Sequence, residues 1–171
     1  MLEVGCAHGP GGAGDPGLTI QETRAHFGAW CIVSSPLILS HDVNNATIMD
    51  AIWPIIANKE ALAINQAWAG FSGSVFQEAT ERAIFFKEGG SVGAWQFWNK
   101  PVGGGKVAVL MMNHAATQAT LSVALASVPG LTGSSFMVRD VWARKDIGAM
   151  SGNYTVTLDS HDAAFILLTP Q

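Results

Sequence analysis

Apolar and polar positions follow two different rhythms in the two halves of the chain. Between residues 19 and 34, Phe27, Trp30, Cys31 and Ser34 fall at spacings of three and four, which is one face of a helix. The tetrad Thr19-Ile20-Gln21-Glu22 fits a capping box: the Thr hydroxyl accepts from the third amide of the helix, and the Glu reaches back to the cap. Pro36 is expected to end that helix. The run PLILS (36–40) is short and continuously apolar, as a buried parallel strand would be. The opening run MLEVG (1–5) is also strand-like, and the polar run 41–47 reads as a loop. Thr47 with Asp50 would start a second helix, which Pro54 would interrupt or turn. Residues 57–66, with Leu62 and Ile64 in a helix-favouring background, give a third. Helix, strand, helix in this order predicts an α/β unit.

From about residue 75 onward, short apolar runs are cut by glycine and proline. Strands are expected at 82–88, 92–99, 106–114, 119–125, 135–142, 153–158 and 163–169, with EGG, PVGGG, VPGLTGS and SGN between them. That spacing predicts an antiparallel sandwich or barrel. The change of rhythm falls in WAGFSGS (68–74), so the chain divides into residues 1–70 and 71–171, the second being the more autonomous.

Composition narrows the reading. The chain has 171 residues, 49% hydrophobic and 13% charged, which supplies a core and excludes a disordered segment. The net charge is −4 with Lys and Arg scattered singly, so no basic stripe for nucleic acid is present. The longest apolar run, 27–39, is broken by Ser34, Ser35 and Pro36 and is too short to span a bilayer. Cys6 and Cys31 lack CxxC spacing, which argues against zinc and leaves a disulfide between them open. Asn45-Ala46-Thr47 and Asn153-Tyr154-Thr155 are glycosylation sequons, relevant in a secretory compartment. The opening residues themselves do not read as a basic and apolar leader.

Few side chains offer chemistry. The glycine-rich run 8–17 lacks the Lys and Ser/Thr of a phosphate loop and is interrupted by Pro10 and Pro16. Asp42, after the expected strand 36–40, reads as a cap or loop-ordering residue, and Asp15 lies in the glycine loop. His8, His26, His41, His114 and His161 are scattered, with no pair at metal-binding spacing, so all five read as structural and no metal is expected. No Ser or Cys occupies a nucleophile elbow. Trp95 and Phe97 point to one face of their strand and Trp98 to the other. Core packing is the preferred reading for them and for Trp142, with sugar stacking the alternative.

Several ordered motifs carry a resemblance. MLEVG, GLTIQETRAHFGAWCIVSSPLILSHDV (17–43) and NKEALAINQ (58–66) resemble the end of the catalytic barrel of glycoside hydrolase family 27, the α-galactosidases and related α-N-acetylgalactosaminidases. VRDVWARKDIG (138–148) and LDSHDAAFILLTP (158–170) resemble that family's C-terminal β domain. The resemblance implies a fold: the C-terminal fragment of a (β/α)8 TIM barrel, with strand 8 at PLILS, followed by an antiparallel β-sandwich. It implies a retaining glycosidase that hydrolyses terminal α-D-galactosides through a covalent intermediate, using two carboxyl groups roughly 5–5.5 Å apart. The family's nucleophile and acid/base lie on earlier barrel strands and match no position here. They are therefore expected upstream of Met1, and the chain alone is expected to be inactive. Met1 matches the one substrate-contacting position that carries over. No cofactor is implied. The expected partners are galactoside-containing oligosaccharides or glycoconjugates, with homo-oligomers left open. The parent is expected to be secreted, lysosomal or vacuolar.

The chain departs from the family at two places. NQAWAG (65–70) replaces N-Q-D-P-L-G, and the loop after MLEVG is lengthened, with Cys6 in place of Asn. A longer loop there is expected either to reshape aglycone selection or to mark a divergent copy of the gene. The residues that choose between galactose, N-acetylgalactosamine and arabinopyranose lie outside these motifs. A second reading is a non-catalytic β-sandwich that binds carbohydrate or serves structure. It would leave Phe27, Trp30, Ile32, Leu37 and Leu39 as a bare apolar patch.

Overall fold

A computed structural model describes residues 2–9, 12–84 and 90–171. Helix α1 spans Ile20–Ile32 and begins as expected: Glu22 N donates to Thr19 Oγ1 at 3.2 Å, and Thr19 N donates to Glu22 Oε2 at 2.8 Å. Its end is set earlier than Pro36. Ser34 takes a left-handed φ of 58°, its N–H donates to Cys31 O at 3.3 Å, and Ser35 N–H donates to Trp30 O at 3.0 Å. Those two bonds are a Schellman motif with Ser where Gly is usual.

Helix α2 spans Ala46–Ile56 and is capped by Asn45, whose Oδ1 accepts from Ile48 N at 3.2 Å; Thr47 lies inside the first turn. Pro54 sits inside α2 without ending it. Pro54 and Asp50, whose carbonyl loses its helical donor to the proline, are both exposed residues. Helix α3 spans Lys59–Gln66. Asn58 caps it through Oδ1, while its Nδ2 donates to Val141 O at 2.8 Å.

Leu2 and Leu39 form a parallel bridge on either side of α1, with Leu2 N donating to Ile38 O at 3.0 Å. The expected strand at 36–40 is otherwise unpaired among the described residues, and it is not buried: Ile38 is 56% exposed and Leu39 38%. Phe27 and Ile32, expected to lie bare, are buried within the chain. They meet the sheet described next.

Among the described residues ten strands follow: β1 Ser74–Glu78, β2 Arg82–Ile84, β3 Ser91–Gly93, β4 Trp95–Gly103, β5 Lys106–Asn113, β6 Ala119–Ala124, β7 Phe136–Asp140, β8 Lys145–Met150, β9 Asn153–Leu158 and β10 Ala163–Pro170. β1 and β8 were not expected from the pattern, 92–99 is split between β3 and β4, and 85–88 of the run 82–88 lies outside the described residues. An antiparallel six-stranded sheet has the order β1-β4-β5-β10-β7-β8; β6 pairs with β9 and β2 with β3.

The six-stranded sheet is covered on both faces. On one side Ala108, Leu110 and Phe165 join Phe27, Cys31, Ile32 and Ile52 of the helices. On the other Val107, Val109, Met111, Ile166 and Leu168 join Leu121, Val123 and Tyr154 of the β6–β9 pair. Double burial is why β5 and β10 read as unbroken apolar runs instead of alternating. Helix α1 approaches the sheet closely at Gly28, where a Cβ would lie 2.8 Å from Leu110 Cδ1.

Candidate functional site

Two chain segments leave the parallel bridge side by side, Glu3 to Cys6 and Ser40 to Asp42. Ser40 Oγ donates to Leu2 O at 2.7 Å and lies 3.7 Å from Cys6 Sγ, which ties the two segments together. Gly5 has a φ of 78°, and a Cβ there would lie 2.7 Å from Ile52 Cδ1 and 2.9 Å from His41 Cγ, so only glycine fits. Beside it is a cleft of about 320 Å³, lined mainly by Cys6, Ala7, Leu18, Ile48 and Ile52.

The polar side chains of this rim are engaged in holding it. Asp42 Oδ1 accepts from Asn44 N at 2.9 Å and its carbonyl accepts from Asn45 N at 3.2 Å, the loop-ordering role expected of it. His41 Nε2 is 3.0 Å from Met49 Sδ, and its buried Nδ1 has no partner among the described residues. His26 Nε2 accepts from Glu3 N at 3.2 Å and the ring lies tilted against Trp30, with centroids 4.3 Å apart. Accepting that bond requires a neutral ring, and burial holds the His26 pKa below its ordinary value. Asp15 closes the glycine loop through its backbone, accepting from Gly9 N and donating to Gly12 O. Met1 lies outside the described residues.

The other candidates are dispersed. His8 bridges to Pro16 in the loop. His114 and His161 belong to the β half, flanking a second cleft of about 340 Å³ with Glu81 and Arg82. Among the described residues no three His, Cys, Asp or Glu side chains group as metal ligands. Cys6 and Cys31 are both free thiols; burial in α1 pushes Cys31 up to about 12, out of reach of thiolate chemistry. Trp95 stacks on Phe97 at 4.5 Å, Trp98 packs into the helix-facing cluster, and Trp142 donates from Nε1 to Ala163 O at 3.0 Å. These aromatics fill the core, and none of the four is a free platform for a sugar. Asn45 and Asn153 are both exposed.

The polar contacts with the longest reach were not legible beforehand. Arg24 of α1 makes paired bonds to Asp162 at 2.9 and 2.5 Å. Arg139 of β7 makes paired bonds to Glu60 of α3 at 2.8 and 2.7 Å. Lys100 of β4, fully buried, donates to Ile64 O and, at 3.0 Å, to Asn65 O, the last carbonyls of α3. Asn58 falls inside the expected helix 57–66 and is in fact its cap, and nothing in the sequence reveals its bond to Val141 beside β7. Together these groups seat the helices on the sheet and so hold the rim in place.

Residues 92–168 match the alpha galactosidase C-terminal beta sandwich domain. The chain is 31% identical over 172 residues to Alpha-galactosidase 3 of Arabidopsis thaliana, covering 95% of this chain and 37% of that protein. It is 30% identical over 173 residues to the Alpha-galactosidase of Coffea arabica, covering 100% of this chain and 39% of that protein. Its fold follows the structure of α-galactosidase from Saccharomyces cerevisiae with raffinose at a TM-score of 0.78 and 20% identity, over 99% of this chain and 46% of that one. The chain thus spans between a third and two fifths of the length of these two plant relatives.

Proposed function

Because the chain is homologous to the C-terminal portion of the α-galactosidases of glycoside hydrolase family 27, we propose that it is the corresponding part of a retaining glycosidase acting on terminal α-D-galactosides. In this reading residues 1–70 are the end of a (β/α)8 barrel and residues 71–171 the sandwich behind it. The observation that carries the reading is the parallel bridge Leu2–Leu39 across α1, with an apolar face of Ile38, Leu39, Val43 and Trp53 exposed beside it. A barrel closed by further strands and helices would bury that face.

The chain's part in the chemistry is then positional. Barrel enzymes react at the C-terminal ends of their strands. The rim of Glu3 to Cys6 and Ser40 to Asp42, fixed by Ser40, Gly5 and Asp42, forms one wall there, and the lengthened loop after Gly5 borders the leaving group. The nucleophile and the acid/base are supplied by other strands of the complete barrel. The substrates are galactoside-containing oligosaccharides or glycoconjugates, met in a secreted, lysosomal or vacuolar compartment, and no metal or organic cofactor enters the double displacement.

The test is turnover of an aryl α-galactoside by the purified chain, alone and joined in frame to the upstream barrel portion of the Arabidopsis relative. The joined protein is expected to turn over substrate and the chain alone to be inert. Activity of the chain alone that survives repeated purification would overturn the reading.

A further inference from the structure

One sequence motif and one pair of strands remain unused by that function. The motif is Asn153-Tyr154-Thr155, at the start of β9. Side chains alternate along a strand, and here Asn153 and Thr155 are exposed while Tyr154 is buried between them. Asn153 Nδ2 reaches Ser122 Oγ only at 3.4 Å, the far limit of a hydrogen bond, so little is lost when that nitrogen is substituted.

The strands are β6 and β9. Each is six residues long, ATLSVA and NYTVTL, with no charged residue and no proline. They pair with each other and with no other described strand, so among the described residues each has one unpaired edge. Short, uncharged, β-branched segments with a free edge are the composition that adds strands from a second copy. The edges of the six-stranded sheet are guarded differently. β1 carries Glu78 and a register break between Val75 and Gln77, and β8 carries Lys145 and Asp146 beside a break at Val138/Arg139. Only the β6–β9 pair, among the described edges of these two sheets, has neither charge nor bulge.

We propose that Asn153 carries an N-linked oligosaccharide and that this glycan guards the open edges of the β6–β9 pair against strand addition by a second copy of the chain. In the transfer, Nδ2 of Asn153 forms a bond to the anomeric carbon of an oligosaccharide held on a lipid diphosphate. The carbon–oxygen bond to phosphate breaks, the lipid diphosphate leaves with that electron pair, and Nδ2 gives up one proton. Thr155 provides the hydroxyl that completes the sequon.

The full chain is expressed behind a secretion signal in a eukaryotic host, and occupancy is read by peptide mass spectrometry after enzymatic deglycosylation converts glycosylated Asn to Asp. Asn153 is expected to be occupied in the wild type and in N45Q alike. N153Q, which removes the glycan without leaving a charge, is expected to raise the multimer fraction severalfold by light scattering. N153Q/T157K, which puts a charge on the exposed face of β9, is expected to restore the wild-type level. A secreted chain with bare Asn153 would overturn the proposal. So would N153Q protein as monomeric as the glycoprotein, or multimers that T157K does not reduce. Glycan occupancy and scattering do not depend on turnover, so this result and the galactosidase test fail separately.

Discussion

At the scale of the residue, the structure turns on side chains whose local role is legible and whose partner is not. Thr19 and Glu22 announce a capping box and form one, because both partners lie within four residues. Ser34 looks like a small polar member of a helix face and is in fact the left-handed residue that ends the helix, with its buried Oγ unpartnered. A serine in that conformation costs about 1 kcal/mol relative to glycine. Ser34→Gly is therefore expected to stabilise the chain by about that amount, read as a rise in the urea midpoint with unchanged slope. His114 makes a second case. Burial and the neighbouring His161 push it down to about 4, against the pull of Glu78, and its Nε2 is 3.2 Å from Gln96 Oε1. An ordinary histidine titrates near 6.5, so as the pH falls the unfolded chain takes up the proton first. The His114 contribution is present above about pH 6.5 and is lost as the pH falls towards about 4. His114→Gln is expected to flatten the difference in stability between those two pH values, checked by urea unfolding at each.

At the scale of the element, the core strands were legible and the edges were not. β5 and β10 advertise themselves as apolar runs because both of their faces are covered. β1 and β8 sit at the two edges of the sheet, where burial is slight and polar residues and Gly148 are tolerated, so no period marks them. PLILS misled in the opposite sense: its composition is that of a buried strand, while Ile38 and Leu39 are exposed in this chain, an exposure that the proposed barrel would account for. Helix α2 passes through Pro54 on its exposed side, while Ile52, Ile55 and Ile56 are buried on the other. Helix α3 is the element most dependent on a remote group. Burial lowers the Lys100 pKa, yet its ammonium holds two carbonyls at the C-terminal end of the helix, where positive charge is favoured. Lys100→Met removes that cap and is expected to cost about 2 kcal/mol. The sign of the effect is checked by thermal unfolding, and its location by faster hydrogen exchange at the end of α3.

At the scale of the whole molecule, the proposed division near residue 70 marks a change of architecture within a shared core. Phe27, Ile32 and Ile52 from the helices and Leu110 and Phe165 from the sheet form one buried cluster, pinned at its rim by Arg24–Asp162 and Glu60–Arg139. The candidate site was legible only through ordered motifs. Nothing in hydrophobic period marks Gly5, Ser40 or Asp42 as one rim, because their meeting depends on a crossover through α1. The strand order carries a consequence for synthesis. β10 lies between β5 and β7 in the middle of the six-stranded sheet, yet it follows every other strand in the chain. A ribosome adds roughly 5–20 residues per second. Until Ala163–Pro170 has cleared the exit tunnel, β5 waits with one edge unpaired, and the sheet is two separate pieces. Closure is therefore an event that follows translation of the sandwich. A nascent chain stalled before residue 163 would be the species that a chaperone meets.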